Sequence, residues 1–203
     1  MGEGVDLLDQ GHVDQAIKVL FEAAAIDPVY FGTWYNLGLA YKRSRAWQDA
    51  LDSFLRAWTR FPTGSPTEVY ASILWNVGIA ASALSAWRYA WRAWLALGFP
   101  ILKMSDDPPV LPMGLAFVCE DPNDPVLGRR IDPARVELLA HAARDHRFVP
   151  GVVVIHDAER VGTQQHQGKD LPVFPVLQLV TGLGPAFDPT EDAALPALHR
   201  LPS

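Results

Sequence analysis

The sequence predicts a mainly α protein. A helical repeat array over residues 1–100 is followed, over 101–203, by a small α/β or β-rich, loop-heavy module. Three observations predict this. Small residues recur: Gly4 and Gly38, and Ala16 and Ala50, lie 34 apart, and Gly78 and Ala90 continue the series after a short insertion. A fixed period of that length marks stacked supersecondary units. All seven tryptophans precede residue 101, whereas thirteen of the seventeen prolines follow residue 100. That shift puts a boundary near Phe99-Pro100 and separates a helical part from a turn-rich one. Finally, Val152-Val153-Val154-Ile155 is a β-branched run after Gly151, the clearest strand in the chain.

The array is clearest over residues 31–62. Trp34, Leu37, Gly38 and Tyr41 stand in the order W-x2-L-G-x2-Y, and Ala50, Phe54 and Pro62 follow. Physically this is two helices in close contact. Gly38 and Ala50 allow a near approach, Trp34, Leu37, Tyr41, Phe54 and Trp58 fill the seam, and Pro62 stops the second helix. This stretch resembles the tetratricopeptide (TPR) repeat family, whose units bury their apolar faces only by stacking on neighbours. The turns between helices are expected near Ser44-Arg45 and Leu84-Ser85.

Residues 2–28 read as an incomplete earlier unit. Ala16, Leu20, Ala23 and Pro28 precede Ala50, Phe54, Ala57 and Pro62 by 34 positions. Ala16, Ile17, Leu20, Ala23 and Ala24 form a helical stripe. Residues 65–100 read as a third unit. Ser65-Pro66-Thr67-Glu68 is a capping box with proline at the first helical position. Leu74, Val77, Gly78, Ala81, Ala90 and Trp94 follow, with Leu74 in place of the usual Trp and Ala81 in place of Tyr. Trp47, Trp87 and Trp91 are assigned to core packing rather than to a ligand platform.

The second part resembles no family. Residues 101–130 are irregular apart from a strand near 114–118, and Asp121 to Pro125 form a turn cluster. Asp132-Pro133 is expected to open a helix with Val136, Leu139, Ala140 and Ala143 as its stripe. Strands are expected at 151–155, in the sheet interior, and at 173–180, at an edge because of Pro175. Gly162 to Asp170 reads as an exposed polar loop. From Gly182 onward the chain is turn-rich, with a short helix around Glu191 to His199.

Composition narrows the function. The formal net charge is −6, which leaves no basic face for phosphates and argues against nucleic acid. The single cysteine, Cys119, excludes an internal disulfide and a multi-cysteine zinc site. No signal peptide and no apolar run of membrane-spanning length is seen, and the chain reads as cytoplasmic. His141 and His146 are five apart and do not share a helix face, so no metal site is assigned. His156-Asp157, after the best strand, reads as a turn with a satisfied side chain. No catalytic residue and no cofactor is predicted.

The resemblance implies instead that a protein or peptide partner lies on the concave face, lined by the first helix of each pair. The corresponding positions are Tyr35, Asn36, Leu39, Lys42 and Arg43, then Trp75, Asn76, Ile79 and Ser82. These mix amides for a peptide backbone, aromatic area and basic groups. The basic clamp of chaperone-type TPR domains is incomplete, because Val5 and Ser72 stand where Asn and Lys belong. The expected function is a non-enzymatic interaction scaffold or adaptor. The rivals are an enzyme or ligand-binding module in 101–203 with the repeats as docking arm, and a structural subunit of a larger assembly. The acidic second half, with nine Lys+Arg against fourteen Asp+Glu, is itself a candidate occupant of the groove near Lys42 and Arg43.

Overall fold

The computed structural model describes residues 2–62, 67–100, 107–111 and 113–180. Among these residues six helices come first: α1 (Gly2–Asp9), α2 (Val13–Ile26), α3 (Phe31–Arg43), α4 (Trp47–Arg60), α5 (Thr67–Ala83) and α6 (Trp87–Ala96). They form three pairs, each closed by one residue of positive φ: Gly11 at 81°, Arg45 at 61° and Ser85 at 58°. The same bond seals each turn. The amides of His12, Ala46 and Ala86 donate to the carbonyls of Leu7, Tyr41 and Ala81, five residues back. This is the left-handed helix ending that glycine favours. Only Gly11 adopts it without a side-chain penalty.

Within each pair a glycine meets a large side chain sixteen residues on. A Cβ on Gly4 would lie 2.7 Å from Leu20, on Gly38 2.5 Å from Phe54, and on Gly78 2.3 Å from Trp94. Ala16, Ala50 and Ala90 are fully buried at the same crossings. The recurrence in the sequence is therefore a recurrence of close helix contacts. Trp47, Trp87 and Trp91 are all buried, as core packing requires. The capping box at 65–68 begins outside the described residues, and so does everything from Gly182 onward.

Six strands follow among the described residues: β1 (Leu115–Cys119), β2 (Val126–Arg130), β3 (Arg135–Leu138), β4 (Val153–His156), β5 (Gly162–His166) and β6 (Lys169–Val180). The order β1-β2-β3-β4-β6 closes on itself, because β1 also runs parallel to β6, while β5 hairpins onto β6 outside the ring. The result is a small β-barrel-like module. Ala116, Val118, Val126, Val136, Leu138, Val154, Phe174 and Val176 fill it, with Phe148 packed among them. Gly128 is required where β2 meets β3: a Cβ there would lie 2.2 Å from Val136 and 2.9 Å from the Glu137 carbonyl.

The helix expected after Asp132-Pro133 is absent, and β3 occupies that position. Asp132 does cap a chain start, accepting from the amides of Ala134 and Arg135 at 2.7 and 2.8 Å, but the chain then extends. Val136 and Leu138 point inward at period two, whereas Leu139, a member of the supposed helical stripe, is exposed. Pairing with β2 on one side and β4 on the other outweighs the local helical pattern. The polar loop expected at 162–170 is also a strand and hairpin. Gln167 and Gly168, both at positive φ, make its two-residue turn.

The edge position expected for 173–180 is likewise corrected, because β6 is the most connected strand. It pairs β5 over 169–173, β1 over 173–175 and β4 over 176–180. Pro175 sits where the partner changes. Asp157 donates its amide to the Pro175 carbonyl at 3.0 Å, and a residue with an N–H would return the bond to the Asp157 carbonyl. Proline cannot, and the His156 ring fills the gap: Nδ1 donates to that carbonyl at 2.6 Å.

The two halves share one core. β4 is buried on both faces, so its sequence reads as a continuous apolar run. Val154 enters the barrel, while Ile155 packs with the helices, together with Ala134 and the half-buried Leu177 and Val180. Arg135 adds a clamp, its guanidinium 4.7 Å above the Trp87 ring.

Candidate functional site

The contact between halves leaves a cleft of about 540 Å³ between α3, α5 and the turn after β4. Its helical wall is Tyr35, Leu39, Lys42 and Arg43 from α3 and Ala71, Ser72, Trp75 and Asn76 from α5. Asp157, Ala158, Glu159 and Leu177 complete it from the strand-rich half. Helical spacing explains the first wall, since positions 35, 39 and 42, and 72, 75 and 76, each share one face.

Six of the nine positions expected on the concave face line this cleft: Tyr35, Leu39, Lys42, Arg43, Trp75 and Asn76. Asn36 is half-buried and stands off the lining. Ile79 and Ser82 are buried and do not reach it. The reason is that α5 packs against β4, so its later turns face protein instead of open space. Ile79 lies in the same apolar core as Ile155.

Lys42 is the deepest charge in the cleft. Its ammonium donates to Asn76 Oδ1 at 2.9 Å and to both Asp157 oxygens at 3.1 and 3.0 Å. Asn76 in turn donates to the Ser72 carbonyl at 2.9 Å. Burial, opposed by a hydrogen bond with Ser72, holds the Tyr35 hydroxyl above its ordinary pKa. Arg43, exposed at the rim, donates to the Leu8 carbonyl of the preceding unit. The cleft is therefore an apolar and aromatic trough with an internally compensated cation at its base.

Sequence reasoning missed Ala71, Ala158, Glu159 and Leu177, met Ser72 only as a departure from the chaperone-type clamp, and read Asp157 as a turn residue. The available signal was the acidity of the second half set against Lys42 and Arg43.

His156 does not line the cleft. It is fully buried, 4.5 Å from the Phe174 ring. Its Nδ1 must carry the proton, because the carbonyl opposite can only accept. Burial chiefly, and the nearby Arg130 charge as well, lower its pKa from 6.5 to about 4. The folded state thus resists protonation that the unfolded chain accepts. That contribution to stability is complete above pH 6.5 and is lost as pH falls toward 4. The linkage amounts to about 3 kcal/mol. In urea titrations the stability advantage of the native chain over His156→Gln should shrink by about that amount between pH 7 and 4. A constant difference would show that His156 is not held neutral. Burial also pushes the Cys119 thiol up, which makes it a weak nucleophile. No group of metal-ligating side chains comes together among the described residues. No helix among them is long and apolar enough to cross a membrane.

Comparison with known families adds one finding. Residues 4–44, covering α1 to α3, match the TPR repeat family. No curated protein matches the chain. TPR repeats as a class are protein-interaction modules, and the match falls on the helices that supply the Tyr35, Leu39, Lys42 and Arg43 wall. The match identifies residues 4–44 as similar to TPR repeats, and the repeated glycine contacts and the three sealed helix turns carry the same helix-pair arrangement through α6.

Proposed function

We propose that this chain is a non-enzymatic interaction scaffold or adaptor that holds a protein partner by an extended segment in the cleft between α3, α5 and the turn after β4. The observation that carries this is the composition of the wall. Leu39, Trp75 and Leu177 offer apolar area, Tyr35 a rigid ring with a hydroxyl, and Arg43 a charge at the rim. The chemistry suits a peptide, since apolar, hydroxyl and charged groups are spread along one trough, with the deep Lys42 cation held by Asn76 and Asp157. Asn36, Ile79 and Ser82 stand behind the wall and contribute by supporting it. A catalytic role in the strand-rich half has no comparable support: the His156 ring is enclosed, and Asp157 is engaged with Lys42.

The test is capture by the full chain. Leu39→Asp, which puts a charge on the apolar wall, should abolish recovery of the partner while leaving the far-ultraviolet circular dichroism unchanged. Undiminished recovery by the folded variant would refute the cleft as the docking site.

A further inference from the structure

Lys42 is already neutralised, and the group that neutralises it comes from the other half of the molecule. Its side chain is 10% exposed and that of Asp157 19% exposed. Two features make the pair exchangeable. The bond from Lys42 to Asn76 lies wholly within the helical array, so the cation stays positioned without Asp157. Asp157 begins a turn whose next residues, Ala158, Glu159 and Arg160, are exposed, so a released carboxylate would meet water. The turn itself is held independently of Lys42. The Asp157 amide donates to the Pro175 carbonyl, and its carbonyl accepts from His156. The remaining charges on the cleft are Arg43 and Glu159, and the Tyr35 hydroxyl feels the Asp157 charge.

We propose that the cleft accepts an acidic peptide segment whose carboxylate exchanges with Asp157 at Lys42, so that the turn after β4 acts as an internal competitor for the partner. This rests on the cleft being the docking site, as proposed above. The segment pairs one carboxylate with an apolar side chain set against Leu39, Trp75 and Leu177. Asp157 then sets a threshold: a neutral segment leaves the ion pair intact, and an acidic one must replace it.

Two fluorescein-labelled nonapeptides of alternating leucine and glutamate, or leucine and glutamine, test this by anisotropy with the full chain. Asp157→Asn should tighten binding of the glutamate peptide by about tenfold and leave the glutamine peptide within about twofold. Adding Lys42→Met to that variant should remove the gain. The Ala158 amide donates to Asp157 Oδ1 at 2.7 Å, so Asp157→Ser, which keeps a hydroxyl to accept from it, repeats the test should the asparagine side chain disturb the turn. If the glutamine peptide binds but neither Asp157 variant improves the glutamate peptide, the competitor is overturned and the docking site stands. A gain that survives Lys42→Met overturns it too, because the carboxylate then lands elsewhere. If neither peptide binds any of these proteins, the docking site fails and the competitor with it.

Discussion

Trp94→Ala is expected to destabilise the chain by about 3–5 kcal/mol, near the top of what a single core truncation costs. Trp94 is the largest fully buried side chain among the described residues. Its ring fills the crossing of α5 and α6 directly over Gly78 and makes edge contacts with Trp75 at 5.4 Å and Phe99 at 6.1 Å. Removing it leaves a cavity that the surrounding helices only partly close. Gly78→Leu should also destabilise, by overpacking, since even a Cβ there would be 2.3 Å from the ring. The two changes should not add. In the Trp94→Ala background the leucine enters vacated space, so its own cost should fall and can change sign. Urea denaturation of the four proteins measures this coupling. A loss at Trp94 below about 1 kcal/mol, or simple additivity, would mean the crossing is not packed as described.

Asp132→Ala should cost a similar amount, about 3–5 kcal/mol, for an electrostatic reason. Asp132 is fully buried and accepts from two amides and from the Arg135 guanidinium. Arg135 is itself buried, with the Pro109 carbonyl and the Trp87 face as its other neighbours. Without Asp132, the enclosed Arg135 cation loses the carboxylate paired with it, and the clamp between barrel and helices loosens. Asp132→Asn keeps an acceptor and should cost less. Equal losses for the two variants would show that the carboxylate's charge is not what matters.

The helical half was legible because its packing depends on local repeats. Gly38 and Gly78 reveal the crossings, and Leu20, Phe54 and Trp94 stand at a constant sixteen residues from their glycines. β4 was legible because burial on both faces leaves it apolar up to its last residue, His156. The barrel was harder to see, since its order comes from pairing across distant sequence. β5 reads Gly-Thr-Gln-Gln-His and is almost wholly exposed, so it shows no alternation, and it is a strand only because β6 supplies the ladder. Asp132 signalled a cap correctly, but a cap opens an extended segment as readily as a helix when partners wait on both sides.

The cleft was legible from one wall. The spacing of Tyr35, Leu39 and Lys42 identified a face of α3, and Trp75 and Asn76 the matching face of α5. The same reasoning extended that face to Ile79 and Ser82. Nothing local to α5 reveals that β4 covers its later turns. Asp157 lies 115 residues from Lys42, and a separation of that kind leaves no periodic trace in the sequence.

Site-specific photocrosslinking tests the central claim most directly. A benzophenone side chain at Arg43, on the cleft rim, is compared with one at Phe21, an exposed position on α2 away from the lining. If a partner segment lies in the cleft, position 43 should label the partner and position 21 should not. Labelling from position 21 with none from position 43 would contradict the account and place the interaction on another face of the repeats.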